Sequence, residues 1–146
     1  MIYGNPARNS RVHMAALLNR EQDPDPLAKV FSDYWPGYTV YAADTPAQVI
    51  DLIDAVEGDV STDKIDCVFV DVSPPFHYYA KSFIRTFANR YSDSGRPLVG
   101  LSADGCRNNV PDMIQNGLDL LIPYPINKLN AERVSLLVVE RWMSNA

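Results

Sequence analysis

Cysteine is scarce: the 146 residues hold two, Cys67 and Cys106, and they fall in no metal-ligand spacing. Neither a zinc module nor a disulfide framework is therefore expected, and Cys106, after Gly105, has no His or second Cys near it in sequence. Clusters of positive charge are lacking too. Thirteen Lys and Arg stand against eighteen Asp and Glu, a net charge of −5, which argues against nucleic acid or an anionic membrane as a partner of this domain. No apolar run reaches the length of a membrane span, and no secretory signal opens the chain, so a cytoplasmic location is expected. The seven glycines form no phosphate-binding loop, no nucleophile lies beside a base, and there is no low-complexity tract or internal repeat. What remains is ordinary globular material, 47% hydrophobic and 21% charged, at a length that fits one domain with a real core.

Ile65-Asp66-Cys67-Val68-Phe69-Val70-Asp71 organises that material. The run is too short for a helix and nearly continuous in its apolarity, as suits a strand covered on both faces in a parallel sheet. It ends at Asp71 and then Val72-Ser73-Pro74-Pro75. At the carboxyl end of a strand in an open α/β sheet, Asp71 lies where such folds bind ligands. The plainer reading is an Asp that starts a turn before prolines.

Residues 1–10 carry no period and read as a tail, leaving 11–146 as the domain. Arg11 to Leu18 is read as the first strand, although its Ala, Met and Leu suit a helix equally. Asp25-Pro26 starts a helix whose apolar positions are Leu27, Val30, Phe31, Tyr34 and Trp35. Tyr38 to Ala43 is the second strand. Thr45 and Gln48 have the spacing of a capping box ahead of Val49, Ile50, Ile53 and Val56. After the strand at 65–71, Tyr79, Phe83, Ile84, Phe87 and Tyr91 mark a helix, and Pro97 to Leu101 a strand. Asn109 caps a short helix ending at Gly117, Leu118 to Ile122 is the fifth strand, and Asn130 caps a last helix with Val134, Leu137, Val138 and Trp142 inward. Five βα units imply a doubly wound parallel sheet with right-handed crossovers, of which the flavodoxin-like order 2-1-3-4-5 is the commonest five-stranded form.

The residues after the strands, Asn19 and Arg20, Asp71, Ser102, and Tyr124 with Pro125, would meet in one crevice. Here the chain resembles the receiver domains of two-component response regulators. The resemblance rests on Asp71 with Pro75 four residues on, Ser102-Ala103 ending the fourth strand, Gly117 before the fifth and Pro125 after it, over roughly residues 11 to 143. It implies the CheY-like (βα)5 fold and a phospho-acceptor position at Asp71. The family holds Mg²⁺ with an acidic pair after the first strand. It grips the phosphoryl group with a Ser/Thr and a Lys, the metal and Lys neutralising charge on the phosphoryl oxygens.

The chain departs from that pattern. Leu18-Asn19 or Asn19-Arg20 falls at the acidic pair, Tyr124 at the Lys, and Leu121 where receivers carry a switch aromatic. One carboxylate does not make a strong Mg²⁺ site, so neither this metal nor any other cofactor is expected. Arg20 either pairs with Asp71 in place of the metal's charge or is a solvated residue beside the crevice. His13 and His77 read as structural histidines. Aromatics among Phe76, Tyr78, Tyr79, Phe83, Phe87 and Tyr91 left outside the core would form an interaction patch. The resulting expectation is a pseudo-receiver: not an enzyme, but a signalling domain that recognises a protein partner or a linked effector domain, or forms a homodimer through residues 110–143. The rivals are an atypical receiver phosphorylated on Asp71, and a small flavodoxin-like enzyme or ligand binder using the same crevice.

Overall fold

A computed structural model of the chain describes residues 11–17, 29–31, 37–57, 65–72, 77–91, 96–102, 117–123 and 126–144. The strands are β1 (Arg11–Leu17), β2 (Gly37–Ala43), β3 (Ile65–Asp71), β4 (Leu98–Ser102) and β5 (Leu120–Pro123). The helices are α1 (Pro46–Val56), α2 (His77–Tyr91) and α3 (Lys128–Ser144). All four strand pairings are parallel and the sheet order is β2-β1-β3-β4-β5. This is the flavodoxin-like doubly wound sheet expected from the alternation. The short helix read at 110–116, the tail at 1–10 and most of the helix read from Asp25 lie outside the described residues.

β3 is buried along its whole length, which explains its nearly continuous apolarity. One face of the sheet carries Met14, Cys67, Phe69 and Leu101 against Phe31 and the α3 residues Ala131, Val134 and Val138. The other face carries Leu17, Val68 and Val70 against Val49 and Ile53 of α1 and Ala80, Phe83, Ile84 and Phe87 of α2. Ile65 joins this second group although strict alternation would put it on the first. The register slips from His13↔Ile65 to Met14↔Cys67, so Asp66 is an extra residue in β3. Its buried carboxylate accepts the His13 backbone N–H at 3.1 Å, replacing a ladder bond. His13 itself is buried, with Nδ1 3.1 Å from the Tyr41 hydroxyl and the two rings stacked, a structural histidine as expected.

Helix boundaries follow their caps. Thr45 Oγ1 accepts from Gln48 N at 3.3 Å, while the Gln48 amide oxygen accepts from Asp44 N at 2.6 Å. The capping box thus closes one residue upstream of its usual partner. The cap of α3 is Asn127, not Asn130: Asn127 Oδ1 accepts from Asn130 N at 2.8 Å, and its carbonyl accepts from Ala131 N. Asn130 instead sits in the first turn, where its side-chain oxygen accepts from Arg133. Val134 and Val138 face inward as expected, whereas Leu137 is only half-buried. β5 starts at Leu120 rather than Leu118, because Asp119 is taken up in tying the start of β4. Its N–H donates to the Leu98 carbonyl, and its carboxylate accepts from Leu98 N at 2.8 Å and from Arg141 of α3 at 2.8 Å.

Candidate functional site at the carboxyl edge of the sheet

Asp71 is the last residue of β3 and only 1% exposed. The parallel register sets it opposite Leu101, and Val72 N donates to the Leu101 carbonyl at 2.9 Å, which extends the pairing one step past Asp71. Ser102 ends β4 one residue beyond that row, also buried, and pairs with Pro123 of β5. A strand spacing near 4.8 Å and a rise near 3.3 Å place the Asp71 and Ser102 Cα atoms about 6 Å apart. The pleat carries them on opposite sides. Asp71 follows Cys67 and Phe69 on the Phe31–α3 side, and Ser102 follows Leu98 on the α1–α2 side. A group held by both would lie over the top of the sheet, between the ends of two central strands.

Leu121 lies one strand further out and is half-buried with the α1–α2 cluster. A Cβ added at Gly100 would come within 2.9 Å of both Leu118 Cδ2 and Leu121 Cδ1. The absent side chain at Gly100 is thus the space these leucines occupy. Gly117 has a φ of +125°, and a Cβ there would meet the Ala88 Cβ at 2.5 Å. The glycine before β5 is required both by the backbone turn and by the approach of α2.

The structure therefore brings Asp71 and Ser102 together at adjacent strand ends and sets Leu121 in apolar packing beside them. Asn19, Arg20, Tyr124, Pro125, Pro74, Pro75 and Cys106 lie outside the described residues. So do Phe76 and the side chains of His77, Tyr78, Tyr79 and Tyr91. Phe83 and Phe87 belong to the core, their rings 5.6 Å apart. Among the described residues, no three His, Cys, Asp or Glu side chains converge as a metal-binding group. No helix there is long and apolar enough to cross a membrane.

Sequence reasoning missed the polar clamps at the opposite, amino edge. Glu57 closes α1, accepts from Arg96 ahead of β4 and accepts from Ile65 N at 3.1 Å at the start of β3. A lone acid next to a helix end gives little sequence signal, but Asp66 and Asp119, each an acid within an apolar run, could have been flagged. Cys67 is wholly buried. Burial first, and the negative charge of Asp119 second, push its thiol far above the ordinary range.

No family model matches the chain, and no curated protein matches it significantly. Solved structures do. A response regulator from Thermotoga maritima superposes with a TM-score of 0.69 at 18% identity, over 88% of this chain and 98% of that one. The signal receiver domain of an HD domain-containing protein from Pseudomonas fluorescens Pf-5 gives 0.69 at 15% identity, over 92% and 98%. A LuxR family DNA-binding response regulator from Silicibacter pomeroyi gives 0.65 at 14%, over 88% and 93%. At these identities the likeness is one of fold: the chain is built on the same five-stranded frame as the receiver domains of response regulators.

Proposed function

We propose that the chain is a degenerate receiver, a pseudo-receiver that signals by recognising protein surfaces and not by taking a phosphoryl group onto Asp71. The observation that carries this reading is the burial of Asp71, whose residue is 1% exposed. In-line transfer needs a phosphodonor to reach a carboxylate oxygen, and a buried carboxylate offers no such approach. The chemistry of the surrounding positions agrees. Asn19 and Arg20 supply an amide and a cation where an acidic pair would hold Mg²⁺, so the residues present do not fit that metal. Tyr124 offers no ammonium, and Leu121 is apolar and packed. The proposed partners are proteins: a covalently linked effector domain, as the HD and DNA-binding names of two structural neighbours suggest, or a second copy. The proposed location is the cytoplasm.

A second reading, an atypical receiver phosphorylated on Asp71, is favoured by Ser102 at the neighbouring strand end, the position of the family's phosphoryl-gripping hydroxyl. Light scattering with and without Mg²⁺ and beryllofluoride separates the two. The pseudo-receiver keeps one mass throughout. A change of mass that disappears in Asp71→Asn would establish the atypical receiver instead.

A further inference from the structure

The two edges of the sheet are guarded unequally. β5 has four residues and ends at Pro123, and the charged Asp119 stands directly before it. Short length, proline and charge are devices that keep an edge from pairing with another chain. β2 has none of them. Its seven residues, Gly37–Ala43, include no charge and no proline, and they pair with β1 in unbroken register from Arg11↔Gly37 to Leu17↔Ala43. Among the described residues no strand lies beyond it. Val40 and Tyr41 are half-buried and Ala42 is exposed, so the strand lies at the surface, while the stacking of Tyr41 on buried His13 ties it to β1. A regular edge strand turns alternate N–H and C=O groups outward and is a template for a further strand.

The charge around that edge identifies the guest. From Gly37 to Glu57, the stretch that makes β2 and α1, the chain has four acids and no Lys or Arg. Glu57 is matched by Arg96, whereas Asp44, Asp51 and Asp54 are exposed. Because α1 packs on β1 and β2, these acids and the open edge share one corner of the domain, and the field there is negative. A second copy is the wrong guest. Two β2 strands paired about a two-fold axis would make one continuous sheet, with both α1 helices on the same face beside the seam, acid against acid. A strand that carries Lys or Arg is attracted where a second copy is repelled.

We infer that β2 is a strand-addition site that takes an extended, basic segment of a partner protein as a sixth strand of the sheet. Main-chain hydrogen bonds along β2 hold the segment, and the acids of the β2–α1 corner select Lys or Arg on it. Ala42, a single exposed methyl group, leaves room on its face for a bulky side chain of the guest. This inference deepens the recognition reading above and rests on it, naming a surface and the chemistry of the partner. One added strand buries well under about 1,000 Å², so the complex is weak and its dissociation constant is micromolar or higher.

The probe is a labelled peptide of about nine residues that alternates valine and lysine, titrated with the full chain by fluorescence anisotropy. It binds with a dissociation constant of about 10–100 µM, and about fivefold or more weaker when salt rises from about 50 mM to about 500 mM. Amides of β2 gain protection from hydrogen exchange in alternation along the strand. The same peptide with glutamate for lysine, or with proline at its centre, binds about tenfold or more weakly. Ala42→Lys, and separately Asp51→Lys with Asp54→Lys, weaken binding about fivefold or more. All three side chains are exposed, so the variants keep the fold, as a urea melt will show. A lysine peptide that does not bind, or that protects amides away from β2, would overturn the site, and a glutamate peptide bound equally well would overturn its basic guest. Protection of β2 that rises with protein concentration alone would make a second copy the occupant and overturn the partner named. Binding that appears only with Mg²⁺ and beryllofluoride and is lost in Asp71→Asn would uphold this edge while overturning the phosphorylation-independent reading.

Discussion

Arg96 holds Glu57 through one guanidinium nitrogen, 2.7 Å from one carboxylate oxygen and 2.6 Å from the other, with the two side chains 6% and 25% exposed. Glu57 also accepts the Ile65 N–H, so a single carboxylate ties the end of α1, the start of β3 and the approach to β4. Removing one partner of a buried pair costs about 3–5 kcal/mol, and the exposure of Glu57 lowers that to about 2 kcal/mol here. Glu57→Ala is the costlier change. It takes the counter-charge from a nearly buried cation and the acceptor from Ile65 at once. Arg96→Ala leaves a carboxylate that water reaches and that keeps its bond to Ile65. Urea denaturation of the two variants should rank them in that order, and their double variant should be less unstable than the sum.

Gly117→Ala should destabilise by about 1–3 kcal/mol, because the new Cβ both enters a positive-φ residue and meets Ala88 of α2. Gly100→Ala meets only the tips of Leu118 and Leu121, which can turn aside, so its cost is smaller. Equal urea midpoints for the two variants would contradict this ordering.

Cys67 gives a pH dependence. Its folded thiol is held protonated well above the ordinary value of 9.0, by burial first and Asp119 second. Above the unfolded thiol's titration the native state binds more protons than the unfolded state. The stability tied to this proton is therefore complete at neutral pH and is lost as pH rises, with a slope of about 1.4 kcal/mol per pH unit from this group. Cys67→Ala lowers stability at neutral pH by opening a small cavity. It should also flatten the decline between pH 9 and pH 10, about where other groups add only a common background. Identical slopes for wild type and variant would show that the thiol does not titrate this way.

How much of this was legible in the sequence depended on what each residue had to reveal locally. β3 announced itself because a strand covered on both faces shows a nearly continuous apolar run, and Thr45 with Gln48 announced α1 because capping is local chemistry. Asn127 was passed over for Asn130 because two Asn three residues apart both suit a cap, and only the buried positions of Asn130, Ala131 and Val134 decide between them. Asp66 looked like an ordinary strand residue, since a bulge is a property of the pairing with β1 and not of β3 alone. At the site, Asp71 and Ser102 were legible from the ends of their strands. The pleat that sets them on opposite sides was not, because it follows from the register between β3 and β4.

The depth of Asp71 leads to the last prediction. Asp71 is 1% exposed, and burying a carboxylate is costly unless a cation or several donors compensate it. Along this chain, Arg20 is the cation expected just after β1, the strand beside β3 in the sheet. If Arg20 replaces the charge that Mg²⁺ brings to a receiver, removing either member strips the other of its counter-charge, and removing both strips neither. Asp71→Asn and Arg20→Ala should each lower the unfolding free energy, while the double variant falls short of their sum by about 1 kcal/mol or more. Strict additivity would eliminate the pair. A stabilised Asp71→Asn would mean that the buried carboxylate is itself the liability, and that the crevice pays for Asp71 without using Arg20.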